Sequence, residues 1–242
     1  MRILLTNDDG IHSPAFPSLI EALKRFGDVT VVAPAEEQSG KSQAIDFRNA
    51  IDVKKVDVFP GVDAYSVAST PADCVRFGVL ALKSQYDLVI SGINRGYNLG
   101  ADIAYSGTVG AILEAAHLGI KGIALSSSPE YFLDAVAHLD QVADFICEKR
   151  LFDFGELYNI NIPPHAEKFA ITKTGGTFYS DAFEKIGDGK YMQVGYPVEY
   201  HVNGTETDID AVRSGVISIS PLTHSRLNLP AFDALKTLLT DN

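Results

Sequence analysis

Short apolar runs alternate with helix-like stretches through the first two-thirds of this 242-residue chain. The runs are rich in aliphatic and β-branched residues, as is typical of buried parallel strands, and cover residues 3–5, 29–34, 87–90, 122–125 and 158–162. The stretches between them predict helices over residues 13–26, 72–82, 108–118 and 131–149. This alternation favours an α/β fold with a doubly wound, mostly parallel sheet.

The first helix carries conflicting start signals. Ser13 is a candidate N-cap and Pro14 suits the first helical position, whereas Pro17 lacks an N–H group that an early helix bond would use. We therefore expect the helix to begin slightly after Ser13.

The character of the sequence changes after Pro163 and Pro164. We expect strands over residues 169–174, 191–202 and 216–220, and a closing helix over 230–239. This pattern indicates a core over residues 1–165 and a C-terminal extension over 166–242. The extension would contain a β-hairpin arm and a helix. Its aromatic residues would cover the active site, contact another subunit or fill a local core; they are Phe178, Tyr179, Phe183, Tyr191, Tyr196 and Tyr200.

Composition narrows the function classes. The chain has 20 Lys and Arg against 31 Asp and Glu, a net charge of −11, which disfavours a partner such as duplex nucleic acid that binds through many phosphates. No apolar run is long enough for a membrane span or a signal-peptide core, so we expect a cytoplasmic protein without a membrane partner. Cys74 and Cys147 have no metal-binding spacing and are interpreted as buried free thiols.

Two adjacent aspartates, Asp8 and Asp9, follow the first predicted strand. Neighbouring carboxylates repel each other unless a cation or a shared proton relieves the repulsion. Open α/β sheets place ligands at the carboxyl ends of their strands. The pair therefore indicates a metal-dependent site, with an ordinary turn that caps the next helix as the alternative.

Polar side chains also follow later strands. Ser39 and Lys41 lie in the loop after the second strand, a loop that by itself also fits a flexible connection. Asn94 and Arg95 lie in the glycine-rich loop after the 87–90 strand. Because parallel strands end on one edge of the sheet, we expect these loops to share the crevice of the aspartates. Carboxylate, hydroxyl and amide oxygens together suit a hard divalent ion such as Mg²⁺, Mn²⁺ or Ca²⁺.

A candidate phosphate site lies at Ser106, Gly107 and Thr108, where an apolar helix begins. A hydroxyl there can cap the helix, and the same geometry presents backbone N–H groups to an anion. The chain has no Gly-x-x-x-x-Gly-Lys-Ser/Thr motif and no Gly-x-Gly-x-x-Gly after its first strand. A P-loop and a dinucleotide-binding motif are therefore excluded.

An ordered set of short motifs resembles the SurE family of stationary-phase survival nucleotidases. The motifs are TNDDGI (6–11), VAP (32–34) followed by QSG (38–40), STPADCV (69–75), SGIN (91–94), NLG (98–100) and YSGTV (105–109). The resemblance covers residues 1–165, with a weaker echo at 216–222. The chain departs from the family at Ala15, where glycine is usual, and at Glu36 and Glu37, where a more basic stretch is usual.

The resemblance implies a Rossmann-like fold and a phosphatase that uses one divalent metal ion per subunit, Mg²⁺ or Mn²⁺. Such an enzyme hydrolyses nucleoside 5′- and 3′-monophosphates to nucleoside and phosphate, in some members also short polyphosphate. Matched by position, the metal ligands that the resemblance implies are Asp8, Asp9, Ser39 and Asn94. The catalytic residues that it implies are three of these, Asp8, Asp9 and Asn94. The implied substrate contacts are Asn98, Ser106, Gly107 and Thr108. The family also implies a homodimer or a dimer of dimers, built by the C-terminal segment and the hairpin arm.

In the mechanism we expect, the metal lowers the pKa of a water that attacks phosphorus in line, and Asp8 or Asp9 accepts a proton. Ser106, Thr108 and nearby N–H groups stabilise the phosphoryl oxygens, with Lys41 and Arg95 as further candidates. Two alternatives stay open. One is a phosphatase with an aspartate nucleophile, although the usual Asp-x-Asp spacing is absent; the other is a non-catalytic nucleotide-binding regulator.

Overall fold

The computed structural model of the chain describes residues 1–198 and 202–240. Its strands are β1 (Arg2–Thr6), β2 (Asp28–Pro34), β3 (Val53–Val56), β4 (Asp63–Val67), β5 (Leu88–Arg95), β6 (Lys121–Ser127), β7 (Leu157–Ile162), β8 (Phe169–Ile171), β9 (Tyr179–Gly187), β10 (Lys190–Pro197) and β11 (Ile217–Leu222). Its α-helices are α1 (Phe16–Lys24), α2 (Pro71–Arg76), α3 (Gly107–His117), α4 (Leu139–Glu148), α5 (Asp208–Arg213) and α6 (Leu229–Thr240).

Nine strands form one sheet in the order β3-β4-β2-β1-β5-β6-β7-β11-β8. The six strands from β4 to β7 in this order are parallel neighbours. The chain adds strands outward from β1 on one side and then outward from β5 on the other, which is the strand order of a Rossmann-type sheet. The predicted doubly wound α/β fold is confirmed, and its switch point lies between β1 and β5.

Two strands from beyond residue 165 extend this sheet. β11 pairs antiparallel with β7, and β8 pairs parallel with β11. The remaining strands, β9 and β10, form a separate antiparallel hairpin. The C-terminal region thus contains the expected hairpin arm and terminal helix, and it also contributes to the main sheet.

Apolar side chains cover both faces of the sheet. Along β1, Ile3 and Leu5 pack on the side of α1 and α4, whereas Leu4 packs on the side of α2 and α3. Burial on both faces explains why β1 is continuously apolar from Ile3 to Leu5. It also fixes the carboxyl end of β1, from which Asp8 and Asp9 emerge.

Some predicted boundaries are wrong for local reasons. α1 begins at Phe16, and its N-cap position is occupied by Ala15 and not by Ser13. The prediction that the helix begins after Ser13 is therefore confirmed. Pro17 falls in the first turn of the helix, where its missing N–H costs no helix bond. The stretch 72–82 is α-helical only to Arg76 and continues as a π-helical turn. The stretch 131–149 begins with a 3₁₀ turn at Asp134–His138 before α4.

Four elements were not predicted: β3, β4, β9 and α5. β3 and β9 are edge or hairpin strands with largely exposed side chains, so they lack the apolar alternation that reveals a strand. The strand predicted at 169–174 ends at Ile171, and the one predicted at 191–202 runs from Lys190 to Pro197. Residues 199–201 of that prediction lie outside the described residues.

In the described part of the chain both cysteines are free. Cys74 is buried as predicted, but Cys147 is exposed near the end of α4, so its predicted burial is wrong. Among residues 1–198 and 202–240, no helix combines the length and apolar character needed to cross a membrane.

Candidate active site

A pocket of about 610 Å³ opens at the carboxyl ends of the central strands, beside the switch point of the sheet. Seven of the predicted site residues line it, namely Asp8, Asp9, Ser39, Asn94, Arg95, Asn98 and Ser106. They come from the loops after β1 and β2, the end of β5, the loop that follows β5 and the start of α3. The further candidate Lys41 does not line the pocket. The fold therefore brings together side chains that are up to about a hundred residues apart in the sequence, as the parallel-strand argument predicted.

Asp8 lies in the floor of the pocket with only 5% of its surface exposed. Its Oδ1 accepts the hydroxyl of Thr108 at 2.7 Å, and its Oδ2 accepts the backbone N–H of Thr108 at 3.2 Å. Burial raises the pKa of Asp8 above its ordinary value, an effect that the Thr108 hydrogen bonds partly oppose. The first turn of α3 therefore holds this carboxylate in place.

Gly107 makes this close approach possible. A Cβ atom at position 107 would lie 3.0 Å from the Cβ of Asp8 and 3.1 Å from its Oδ2. The glycine therefore lets the start of α3 pack directly on Asp8.

Asp9 also lies in a strongly perturbed environment. Its Oδ2 is buried and has no hydrogen-bond partner among the described residues. Burial, and then the negative charges of Asp8 and Glu37, raise the pKa of Asp9 to about 6, although the backbone N–H and the guanidinium of Arg95 lower it. A buried carboxylate oxygen without a partner is costly, and a bound cation would remove that cost.

Metal-free stability is expected to fall as the pH rises towards 6. The pKa of Asp9 is raised from 3.8 to about 6 by folding, so its contribution to stability is complete below the lower value and is lost as the pH passes the higher one. Thermal melts in EDTA at several pH values should show this loss in the wild type. The loss should be smaller in Asp9→Asn, and equal slopes for the two proteins would contradict the assignment.

Ser39 and Asn94 complete the predicted oxygen set. Ser39 is exposed and donates its hydroxyl to Glu37 Oε1 at 2.6 Å. The Nδ2 of Asn94 donates to the carbonyl of Gly96 at 2.8 Å. Over residues 1–198 and 202–240, no three His, Cys, Asp or Glu side chains are grouped to hold a metal. The predicted set does not need such a group, because it combines two carboxylates with a hydroxyl and an amide, which fits Mg²⁺ or Mn²⁺.

The loop that carries Ser39 is anchored by buried acidic residues. The N–H of Gln38 donates to the carbonyl of Asp8 at 2.7 Å. Farther along the loop, Gln43 donates to the buried Glu114 of α3 at 2.9 Å, and the N–H of Asp46 donates to Asp73 at 2.8 Å. Asp73 belongs to the STPADCV motif, so this motif holds the loop and does not itself line the pocket.

Only some of the predicted phosphate contacts line the pocket. Ser106 lines the pocket and caps α3 by accepting the N–H of Val109 at 3.1 Å. Asn98 also lines the pocket, and its Nδ2 donates to Ser126 at 2.7 Å. Thr108 is fully buried and directs its hydroxyl and N–H to Asp8. The structure thus gives Thr108 a positioning role toward Asp8 that sequence reasoning did not include.

The Thr108 hydroxyl offers a sharp test of this role. Thr108→Val keeps the shape of the side chain but removes the 2.7 Å donor to Asp8. We expect activity to fall about 10–100-fold, the usual cost of losing an outer partner of a metal ligand. Thr108→Ser restores a hydroxyl and should recover most of the activity. Similar losses in both variants would show that packing, and not the hydroxyl, is what matters.

Part of the pocket wall comes from aromatic residues of the C-terminal extension, for which covering the site was one of the predicted uses. Phe178 and Tyr179, at the root of the β9–β10 hairpin, line the pocket together with Asp102 and Tyr105. The Oδ2 of Asp102 accepts the N–H of Phe178 at 3.0 Å and that of Tyr179 at 2.9 Å. No local sequence signal links these positions, because the contact spans more than seventy residues.

Comparison with known proteins places the chain in a family. Residues 3–181 match the family model described as survival protein SurE. The chain belongs to the SurE family. The matched range contains every residue of the predicted SurE metal set, whereas α5, β11 and α6 lie beyond it.

Curated SurE relatives match nearly the whole chain. The 5′-nucleotidase SurE of Pseudothermotoga lettingae is 39% identical over 247 residues, covering 98% of this chain and 94% of the relative. The 5′/3′-nucleotidase SurE of Salmonella paratyphi A is 36% identical over 237 residues, covering 92% and 90%. Among solved structures, the SurE protein from Aquifex aeolicus has a TM-score of 0.81 and 34% identity, covering 98% of this chain and 99% of that one. The SurE fold therefore extends through the C-terminal region as well.

Proposed function

We propose that this SurE-family chain hydrolyses nucleoside 5′- and 3′-monophosphates to nucleoside and phosphate. The names of its relatives as 5′- and 5′/3′-nucleotidases support the reaction. The observation that carries the proposal is the pair of carboxylates in the pocket, with the buried Asp9 Oδ2 left without a partner among the described residues. Short polyphosphate is a further candidate substrate on the ground of the family resemblance alone.

The proposal includes one divalent cation, Mg²⁺ or Mn²⁺, held by Asp8, Asp9, Ser39 and Asn94. When bound, such a cation supplies positive charge to a phosphate oxygen and lowers the pKa of a water. An acidic chain with a net charge of −11 needs this charge if its pocket is to accept a phosphate dianion.

The two aspartates would divide their roles. Both oxygens of Asp8 are engaged by Thr108, so Asp8 acts as a fixed ligand. Asp9 has an oxygen without a described partner, which makes it the better placed of the two to accept a proton from the attacking water. Asn98 and Ser106 line the pocket and would hold the phosphoryl oxygens, and Arg95, which also lines it, is a further candidate for this role.

Phosphate release tests the reaction directly. The purified chain should release phosphate from 5′-AMP and 3′-AMP with Mg²⁺ or Mn²⁺, lose this activity in EDTA and regain it when the metal is restored in excess. If the chain binds nucleotide but releases no phosphate with any divalent metal, the non-catalytic nucleotide-binding regulator becomes the better interpretation. Phosphate that stays covalently attached after a rapid quench would instead identify an aspartate nucleophile.

Assembly and location are part of the same proposal. Large apolar side chains are exposed on the hairpin and the terminal helix, including Phe183 at 70% and Leu235 at 63%. Surfaces of this kind mark contacts with another chain, and the family resemblance suggests a second copy, as a dimer or a dimer of dimers. Light scattering on the purified chain would test this assembly. The expected compartment is the cytoplasm.

A further inference from the structure

Aromatic side chains form the part of the pocket wall that faces solvent. Tyr105 is 64% exposed and Tyr179 is 42% exposed, and both line the same pocket as the aspartates. The half-buried Phe178 packs edge-to-face on Tyr179, with ring centroids 4.9 Å apart. Exposed aromatic rings beside a polar site are typical of a surface that binds a flat apolar group.

The backbone that carries these rings is held in place before any ligand binds. Asp102 fixes the backbone of Phe178 and Tyr179 through two N–H bonds of 3.0 and 2.9 Å. The guanidinium of Arg213 lies 5.4 Å from the centre of the Phe178 ring. The carbonyl of Tyr105 accepts the N–H of Ser42 at 3.0 Å. A preformed wall loses little conformational freedom when it binds a ligand.

The pocket lining therefore combines two chemically different groups of residues. Asp8 and Asp9 are the carboxylates that would receive a cation and a phosphate, whereas the aromatic rings offer flat apolar faces in the same lining. Tyr105 directly precedes Ser106, a predicted phosphate contact, so one short segment of chain contributes to both groups. A nucleoside monophosphate also combines two such parts, since an anionic phosphate and a flat base are joined by a sugar.

We propose that Tyr105 and Tyr179 form a nucleobase-stacking subsite, an inference that rests on the proposed nucleotidase function. Every base offers a π-face to an aromatic ring, so stacking recognises bases without selecting one of them. The subsite should accept purines and pyrimidines, and purines should gain more from it because their larger rings overlap more area. Sugar phosphates that lack a base would not use it.

Matched substrates and variants isolate the subsite. The substrates are 5′-AMP, 5′-GMP, 5′-CMP and 5′-UMP, with ribose 5-phosphate as the base-free comparison. The variants are Tyr105→Leu, Tyr179→Leu and the double variant. The control is Tyr191→Leu, because Tyr191 is 60% exposed on the same hairpin and does not line the pocket.

We expect kcat/KM for the nucleotides to fall about ten-fold or more in each variant, which is the size of effect that loss of one stacking ring produces. The ratio of kcat/KM for 5′-AMP to that for ribose 5-phosphate should fall with it, and Tyr191→Leu should keep the wild-type ratio. An unchanged ratio in the double variant would overturn the proposal. So would a change of oligomeric state in that variant without a change in the ratio.

A binding measurement separates this inference from the proposed function. Adenosine carries no phosphate, so its binding to the purified protein, measured by equilibrium dialysis, reports on the base-binding surface alone. Saturable adenosine binding in the wild type and its loss in the double variant would support the subsite even if no phosphate were ever released. Equal adenosine binding by both proteins would reject the subsite while leaving the nucleotidase proposal intact.

Discussion

Replacement of Asp9 by asparagine is expected to lower kcat/KM for nucleoside monophosphates by more than about 100-fold. Loss of a residue that only hydrogen-bonds to a metal ligand usually costs about 10–100-fold, and loss of the ligand's own charge should cost more. Asparagine keeps the size of the side chain but removes its negative charge. The same variant should be more stable than the wild type in EDTA, because burial, Asp8 and Glu37 all disfavour the charged form of Asp9. Loss of activity would thus accompany a gain in the metal-free Tm.

The rise of Tm on titration with Mg²⁺ or Mn²⁺ provides a second measurement of the same substitution. A cation that binds only the folded state raises the Tm of the wild type, and Asp9→Asn should show little of this rise. Asp57→Asn is a matched control, because Asp57 is exposed in the loop between β3 and β4 and does not line the pocket. An Asp9→Asn protein that keeps full activity and a full metal-induced shift would refute the assignment of Asp9 as a ligand.

Addition of one methyl group at Gly107 should be almost as damaging. In Gly107→Ala the new Cβ would lie 3.0 Å from the Cβ of Asp8 and 3.3 Å from the carbonyl oxygen of Gln38. Either Asp8 or the Ser39 loop must move, and small displacements of positioned groups are costly to catalysis. We expect activity to fall by up to about 100-fold, with a stability cost of about 1–3 kcal/mol from overpacking.

The control for this substitution lies on the hairpin. A Cβ at Gly187 has its nearest neighbouring atom 4.0 Å away, so Gly187→Ala adds the same methyl group without a clash. Steady-state kinetics and chemical denaturation of both variants would measure the two effects. Wild-type activity in Gly107→Ala, or an equal loss of activity in Gly187→Ala, would contradict the role of Gly107 in the close packing of α3 on Asp8.

The sequence predicts the central part of the fold well because its strands are buried on both faces. β1 shows this as an apolar run from Ile3 to Leu5, and β7 as a fully buried strand in which aliphatic residues alternate with Asn159 and Asn161. β1 exceeds its predicted range by one residue at each end, and β7 by one residue at its start. The polar residues after parallel strands were located by the same logic, since the strand ends share one edge. Both inferences use information that lies within a few residues along the chain.

The missed features depend on distant contacts. β3 reads Val-Lys-Lys-Val and forms only because β4 offers it an edge. The engagement of Thr108 by Asp8 and the tie between Asp102 and the hairpin root join residues 76 to 100 positions apart. Such pairs leave no periodic signal in the sequence. From sequence alone, a polar residue that positions a carboxylate looks the same as a polar residue that binds a substrate.

The place of β11 in the sheet has a consequence for how the chain is made. β7 is buried along its whole length, yet its partner β11 begins 55 residues after β7 ends. During synthesis at about 5–20 residues per second, this edge would wait roughly 3–11 seconds for its partner. An uncovered apolar strand edge can pair with another chain, so a newborn chain passes through a brief window in which aggregation competes with completion of the sheet.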